Sequence, residues 1–320
     1  MFLILSVALA ASVDSCIFAR EFTVRTPAGH TIAALLETRR PNARQPAVVL
    51  ISGAGPQTRD YSTALSDHKA NHAFADLSRQ LTQAGFAVVR FDERGTGQSS
   101  GDYERTATTA TLASDVEAVV VALSRRTEID STRIALVGHS EGGAIATLVA
   151  ASQSRITAVV SLGAPSWNGR RIMEWQDAYS IRYGSWSSFR PDEESRRAWL
   201  AAERTRRETT ESWFPFFLDY EPLSAIRRVR APIIIIHGER DVHVTPEQAH
   251  ELATAAREAG NAAVTVDVLP EHSHSLADPS VSEFPAPLSP LVGKRIREWL
   301  GATYTHRPHL RACGARRGST

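Results

Sequence analysis

Cysteine is nearly absent: Cys16 and Cys313 stand one near each end of the 320-residue chain. That excludes a disulfide framework, and their spacing matches no metal-binding pattern. No apolar run reaches the roughly 18 residues of a membrane span. Nor is there an excess of charge of either sign, the formal net charge being +1. Such a chain has no general attraction for nucleic acid or a charged membrane surface. What is present is ordinary globular composition, 42% hydrophobic and 22% charged. That suits one large α/β domain with an insertion, or two small domains.

The two ends differ from the rest. Phe2 to Ala11 is apolar except for Ser6, the length of a signal-peptide core. Ala8-Leu9-Ala10 and Ile17-Phe18-Ala19 offer small-residue cleavage sites, although no Lys or Arg precedes the apolar run. Residues 1–19 are therefore expected to be a leader, and the chain to be exported; the alternative is a buried first strand and a cytoplasmic protein. At the other end, Ala302 to Thr320 carry Arg307, Arg311, Arg316 and Arg317 and no acid. Without apolar periodicity, residues 301–320 are expected to be a solvated, disordered basic tail.

Between the ends, short apolar runs alternate with helical patterns. Phe22 to Arg25 and Thr31 to Glu37 flank a turn at Pro27-Ala28-Gly29. Ala47–Ser52, Phe86–Phe91, Arg133–Gly138, Ile156–Leu162, Pro232–His237 and Ala263–Leu269 read as buried strands. Ala73–Ala84, Ser114–Arg125 with Ser114 as its N-cap, Glu141–Ser152, Pro246–Ala259 and Leu288–Leu300 read as helices. This alternation predicts a mostly parallel sheet covered on both faces, with its sites at the carboxyl ends of strands. Ser166 to Pro222 breaks the rhythm. It holds Trp167, Trp175, Trp186, Trp199 and Trp213 among many aromatics, and is expected to be a helical insertion over that edge, residues 166–222. Residues 20–165 and 223–300 form the core. Most of the aromatics would pack the insertion itself, with one or two lining a pocket.

Gly138-His139-Ser140-Glu141-Gly142 fits G-x-S-x-G between a strand and a helix, the context of a nucleophile elbow. The tight turn needs small residues two positions either side of the serine. Ser140 then sits at a helix N-terminus, where the N–H of Glu141 is a candidate oxyanion donor. A serine nucleophile needs a base, and the base an orienting acid, in the chain order Ser, acid, His. Asp241, in the loop after Ile236, is the candidate acid, with Glu239 as runner-up. His237 and His243 are read as residues of that loop. His272 and His274 compete as the base. The second oxyanion donor is sought in the Gly-x-Gly-Pro loop after Ser52, at the N–H of Ala54.

With these residues assembled, the chain resembles the α/β-hydrolase superfamily, and within it bacterial serine esterases of the serine-aminopeptidase-like (S33-type) group. The stretches that carry the resemblance are LISGAGPQTRD, VVRFDERGTGQSSG, LVGHSEGG, SWFPFFLDYEPLSAIRRVRAPIIIIHGERDVHV and VTVDVLPEHSHSL. They span Glu21 to about Leu300. Ser52 and Ala54 stand where relatives have His and Ser, which a backbone N–H donor tolerates. Relatives close on Leu-Pro-Gly-x-Asn-His-x-Phe; aligning Leu269-Pro270 places His274 on the catalytic histidine. Ser273 stands there for Asn and Leu276 for Phe. The resemblance implies that Asp92, Arg94 and Gly95 form a structural loop beneath the oxyanion hole. It also implies a cap between the sixth and seventh strands, and a carboxylic ester as substrate.

The expected function is therefore hydrolysis of small or medium esters through an acyl-enzyme on Ser140, with Asp241 and His274, and no metal or cofactor. A peptidase, thioesterase or lactonase would share the triad. A non-catalytic receptor for a small hydrophobic ligand would share the fold, and an interaction protein would depend on the basic tail. The expected partner is a small ester, without nucleic acid or a membrane span; the oligomeric state is left open.

Overall fold

A computed structural model describes residues 17–61, 72–184, 192–281 and 287–305. The chain opens with a hairpin, β1 (Phe18–Arg25) and β2 (Thr31–Thr38), then β3 (Gln45–Ile51). Helix α1 (Ala73–Gln83) leads to β4 (Ala87–Phe91), and the short α2 (Tyr103–Thr106) and α3 (Thr109–Ser124) lead to β5 (Ile129–His139). Next come α4 (Glu141–Ser152) and β6 (Ile156–Leu162). Four helices follow before the next strand: α5 (Gly169–Tyr183), α6 (Glu193–Thr210), α7 (Trp213–Asp219) and α8 (Pro222–Ile226). The chain then runs through β7 (Ile233–Gly238), α9 (Glu247–Glu258), β8 (Val264–Leu269) and α10 (Pro290–Thr305).

The eight strands form one sheet in the order β1-β2-β4-β3-β5-β6-β7-β8. Strands β1, β2 and β4 pair antiparallel, and all pairs from β4 to β8 are parallel. This is the mostly parallel sheet expected from the alternation, and the α/β-hydrolase architecture that the resemblance implied. Side chains of β3 show how the core is divided. Ala47, Val49 and Ile51 point to one face, packing with Leu136, Val116 and Ile145, whereas Val48 and Leu50 point to the other, with Leu77, Leu81 and Leu300. A strand buried on both faces has no polar side, which is why these strands read as continuous apolar runs.

The order reverses between β3 and β5, which are neighbours. After β3 the chain turns to β4 on one side, and after β5 to β6 on the other. The loops leaving their carboxyl ends therefore diverge and open a crevice. Helices α5 to α7 fall in the stretch read as an insertion between β6 and β7. Trp213, Phe214 and Leu218 are buried there against Met173 and Phe217. Helix α8 packs on α4 and α9.

Among the boundaries that differ from the sequence expectation, three stand out. Helix α3 begins at Thr109 rather than Ser114, and its N-cap is Thr108. Thr108 and Thr111 each cover the other's backbone N–H, a capping box closed by threonine where Glu or Gln is usual. Strand β1 begins at Phe18, because its pairing with β2 continues as far as Thr38. Phe18 and Ala19, assigned to the leader, are thus strand residues, while residues 1–16 lie outside the described ones. Finally, α10 runs past Leu300 to Thr305, so residues 301–305 of the expected tail are helical. Tyr304 is the reason: it is buried, its ring meets Phe86, and its hydroxyl lies 3.2 Å from Thr157 Oγ1. The arginines of the tail lie outside the described residues. No helix among the described residues is long and apolar enough to cross a membrane.

Candidate active site

Ser140 sits between the end of β5 and the start of α4 with φ 55° and ψ −121°. A side-chain-bearing residue avoids that left-handed region unless its surroundings impose it. Here the Ser140 N–H donates to Leu162 O at 2.7 Å, and the Gly143 N–H donates to Ser140 O at 3.0 Å. The flanking glycines are steric necessities. A Cβ on Gly138 would lie 2.0 Å from Gly142 O, and one on Gly142 2.3 Å from both Ile51 O and Ser52 O. The elbow is thereby pressed against the end of β3.

Three loops bring the predicted residues together. His274 Nε2 lies 3.1 Å from Ser140 Oγ, and His274 Nδ1 lies 2.7 Å from Asp241 Oδ2. Asp241 Oδ1 accepts the backbone N–H groups of His243 and Val244, each at 2.9 Å, and His237 Nε2 lies 3.2 Å from Oδ2. Burial alone would raise the Asp241 pKa. The hydrogen bonds from His237 and His274 outweigh it and hold the carboxyl well below the usual carboxylate range. The runners-up sit elsewhere. Glu239 is exposed and accepts the Glu271 N–H, and His272 is buried with Nδ1 on Pro270 O at 2.7 Å.

In the loop after β3, the Gly55 N–H is taken by Tyr103 Oη at 3.1 Å. The Ala54 N–H has no such partner among the described residues, and Ala54 lines the cavity in front of Ser140. The Glu141 N–H occupies the first position of α4, where no intrahelical acceptor exists. Asp92 and Arg94 are both tied into the structure by hydrogen bonds. Asp92 accepts from Arg59 and from the Gln98 N–H, while Arg94 binds Asp115 and the carbonyls of Thr106 and Thr111.

Sequence reasoning gave no role to Tyr61 or His139, and read His243 only as a loop or supporting residue beside Asp241. His139, the variable residue before the nucleophile, has Nδ1 2.5 Å from Tyr61 Oη and Nε2 2.8 Å from His274 O. Burial, with the charge of His274 second, pushes its pKa down to about 3, so the ring is neutral. Burial likewise pushes the Tyr61 phenol up. The phenol therefore donates to Nδ1, and Nε2–H donates to the carbonyl of His274. Asp241 holds the ring of His274, and this relay holds its backbone. His243 stacks on His274 with centroids 5.2 Å apart and is itself pushed down to about 4, by burial and then by the charge of His274. Nothing local in the sequence marks Tyr61, which is 78 positions from His139.

A cavity of about 360 Å³ opens in front of Ser140. Its wall toward α5–α8 carries Trp167, Ile172, Met173, Trp213, Phe217 and Tyr220. Trp213 and Phe217 stack with centroids 4.7 Å apart, 10° from parallel. The side chain of Glu141 is buried and joins this wall to α4, the helix that follows Ser140. Its Oε1 accepts from Trp213 Nε1 at 2.6 Å and from Thr109 Oγ1 at 2.7 Å. Burial raises its pKa, opposed by those two hydrogen bonds. No group of three His, Cys, Asp or Glu among the described residues is placed to hold a metal ion.

Fold and site together define an α/β hydrolase with a serine, a histidine and an aspartate in hydrogen-bonding sequence. The model of the prolyl oligopeptidase family matches residues 72–284, and the chain belongs to that family. It is thus a member of a family of hydrolases. Esterase EstD of Thermotoga maritima is 26% identical over 204 residues, 62% of this chain and 47% of that one. The uncharacterized peptidase YuxL of Bacillus subtilis is 27% identical over 210 residues, 64% and 29% of the two chains. The chain thus matches less than half the length of these curated relatives. Among solved structures, the Pyrococcus furiosus esterase Pf2001 superposes with a TM-score of 0.64 at 18% identity, covering 89% of this chain and 91% of the other. At that identity the likeness concerns the fold.

Proposed function

We propose that this hydrolase cleaves carboxylic esters of small or medium size through an acyl-enzyme on Ser140. The observation that carries the reading is the chain from Asp241 Oδ2 through His274 to Ser140 Oγ, at 2.7 and 3.1 Å. As Oγ attacks the ester carbonyl, His274 Nε2 takes its proton. Asp241 stabilises the imidazolium. The carbonyl oxygen becomes an oxyanion held by the N–H groups of Glu141 and Ala54. The C–O bond to the alcohol then breaks and His274 returns the proton to the leaving oxygen. Water attacks the acyl group, giving its proton to His274, and the acid departs as Ser140 is reprotonated. A cavity of about 360 Å³ suits acyl and alcohol groups of modest size. The name of EstD favours an ester, and that of YuxL keeps a peptide amide as the second reading.

The test is hydrolysis of p-nitrophenyl butyrate and of an aminoacyl p-nitroanilide by wild type and Ser140→Ala, with fluorophosphonate labelling. Multiple turnover of the ester that vanishes in the variant, with label on Ser140, is the expected result. Turnover of the anilide alone would favour the peptidase. A folded wild type with neither turnover nor label would sink the reading in favour of a receptor.

A further inference from the structure

The cavity wall contains a single arginine or lysine among the described residues, Arg207 of α6. Its guanidinium lies 4.3 Å from the Phe214 ring centroid and 5.2 Å from that of Trp213. Nε alone meets Glu211, at 3.3 and 3.2 Å from its two oxygens. The two terminal nitrogens have no hydrogen-bond partner among the described residues. Glu211 is also shared with Arg206, whose Nη2 lies 3.2 Å from Oε1, and it does not line the cavity. The wall's one carboxyl group among the described residues does not pair with this cation. Glu141 is tied at Oε1 to Trp213 and Thr109, and burial favours its uncharged form. The Gln176 amide is engaged with His243 O at 2.9 Å.

A guanidinium is charged at every working pH and presents paired N–H groups that match a carboxylate. Here its central carbon lies over two aromatic faces, and the residue lines a largely apolar cavity. The Tyr220 hydroxyl of that cavity, buried and without a partner among the described residues, is a further donor. Trp213 links it to the nucleophile, since the indole that lies beside Arg207 also donates to Glu141, the residue after Ser140.

We propose that Arg207 forms an anion subsite, and that the preferred substrates are esters carrying a carboxylate on the group that occupies the aromatic wall. This inference rests on the acyl-enzyme reading above. The carboxylate can come from either side of the ester, as in a dicarboxylic acid monoester or in an acid-bearing alcohol, and the test separates the two. Mono(4-nitrophenyl) glutarate is compared with 4-nitrophenyl pentanoate for the acyl side. For the leaving side, 4-carboxyphenyl butyrate is compared with its neutral methyl ester, 4-(methoxycarbonyl)phenyl butyrate. The quantity read is the ratio of kcat/KM, anionic over neutral, in wild type, Arg207→Met and Arg207→Lys, with fluorophosphonate labelling of Ser140 as the control for folding.

A charge-assisted contact predicts that Arg207→Met lowers the ratio about 10- to 100-fold in one of the two pairs. Arg207→Lys, keeping the charge without the fork, should lie between. The pair that responds identifies the side of the ester. Ratios that move less than about threefold in both pairs, with neutral esters turned over, overturn the subsite alone. No turnover of neutral esters and no label on wild-type Ser140 would remove the acyl-enzyme reading and the subsite with it.

Discussion

Tyr61→Phe tests whether His274, the proposed base, is held from its backbone as well as from its ring. The substitution removes one oxygen and leaves the ring in place. His139 Nδ1, 2.5 Å from that oxygen and fully buried, then has no partner. The imidazole has two responses. It can keep its tautomer and bury a bare acceptor, or shift its proton to Nδ1 and turn a lone pair toward His274 O, now 2.8 Å from Nε2. Either leaves one buried polar group unsatisfied, a cost of about 1–3 kcal/mol. For a chain of this size that is a fall in Tm of roughly 2 °C per kcal/mol. Chemistry should suffer more, since a small displacement of a catalytic group costs up to about 100-fold. The expected result is kcat for p-nitrophenyl butyrate down about 10- to 100-fold, KM within about threefold, and urea unfolding shifted by about 1–3 kcal/mol. His139→Gln, whose amide offers an acceptor and a donor, should recover part of the loss, and His139→Phe none. An unchanged kcat and Tm in Tyr61→Phe would refute the relay.

Other perturbations have equally definite signs. Asp241→Asn should keep the two backbone hydrogen bonds but present an amide N–H to His274 Nδ1, lowering kcat about 10³- to 10⁴-fold with little change in thermal unfolding. Gly142→Ala should abolish soluble protein, because the added Cβ meets backbone carbonyls that cannot move without displacing β3; wild-type yield would refute it. Acid should destabilise the fold over a defined window. His139 and His243, held at about 3 and about 4 against 6.5, bind fewer protons folded than unfolded. Their contribution is complete above about pH 6.5 and is lost as pH falls toward 4 and 3, at up to about 1.4 kcal/mol per pH unit for each. Urea titrations between pH 7 and 4 should show that slope, and His139→Gln should make it shallower.

The sheet was legible because burial on both faces leaves a plain mark, as in Ala47 to Ile51 and Ile233 to Ile236. The elbow was legible because its steric demand selects Gly138 and Gly142. Asp241 and His274 were found through chain order, and His274 was separated from His272 through the Leu269-Pro270 alignment. What escaped depends on distance in space. Tyr61 and His139 meet across 78 positions. The α3 cap escaped because Thr108 and Thr111 satisfy one another with hydroxyls alone. Tyr304 was misplaced because a basic, proline-containing segment follows it, whereas its own ring packs against Phe86. Trp213 could not be told from the other aromatics, since what distinguishes it is an indole that donates to Glu141, 72 positions away.

Glu141 shows how one residue serves two parts of the molecule. In the proposed mechanism its backbone N–H faces the oxyanion, a duty that leaves the side chain undetermined. The side chain is instead spent on the wall, through Trp213 and Thr109. Its Oε2 is buried and unpartnered, so Oε1 carries all the hydrogen bonding that this carboxyl receives from the described residues. Losing Trp213 would leave a buried acid on one contact, at a cost of about 1–3 kcal/mol. The aromatic wall therefore cannot swing away from the cavity without weakening the first turn of α4, where the proposed oxyanion donor sits. The volume that admits substrate and the groups that would stabilise its transition state are coupled through this carboxyl. Substitutions in the wall at Trp213 should consequently register in kcat as well as in KM.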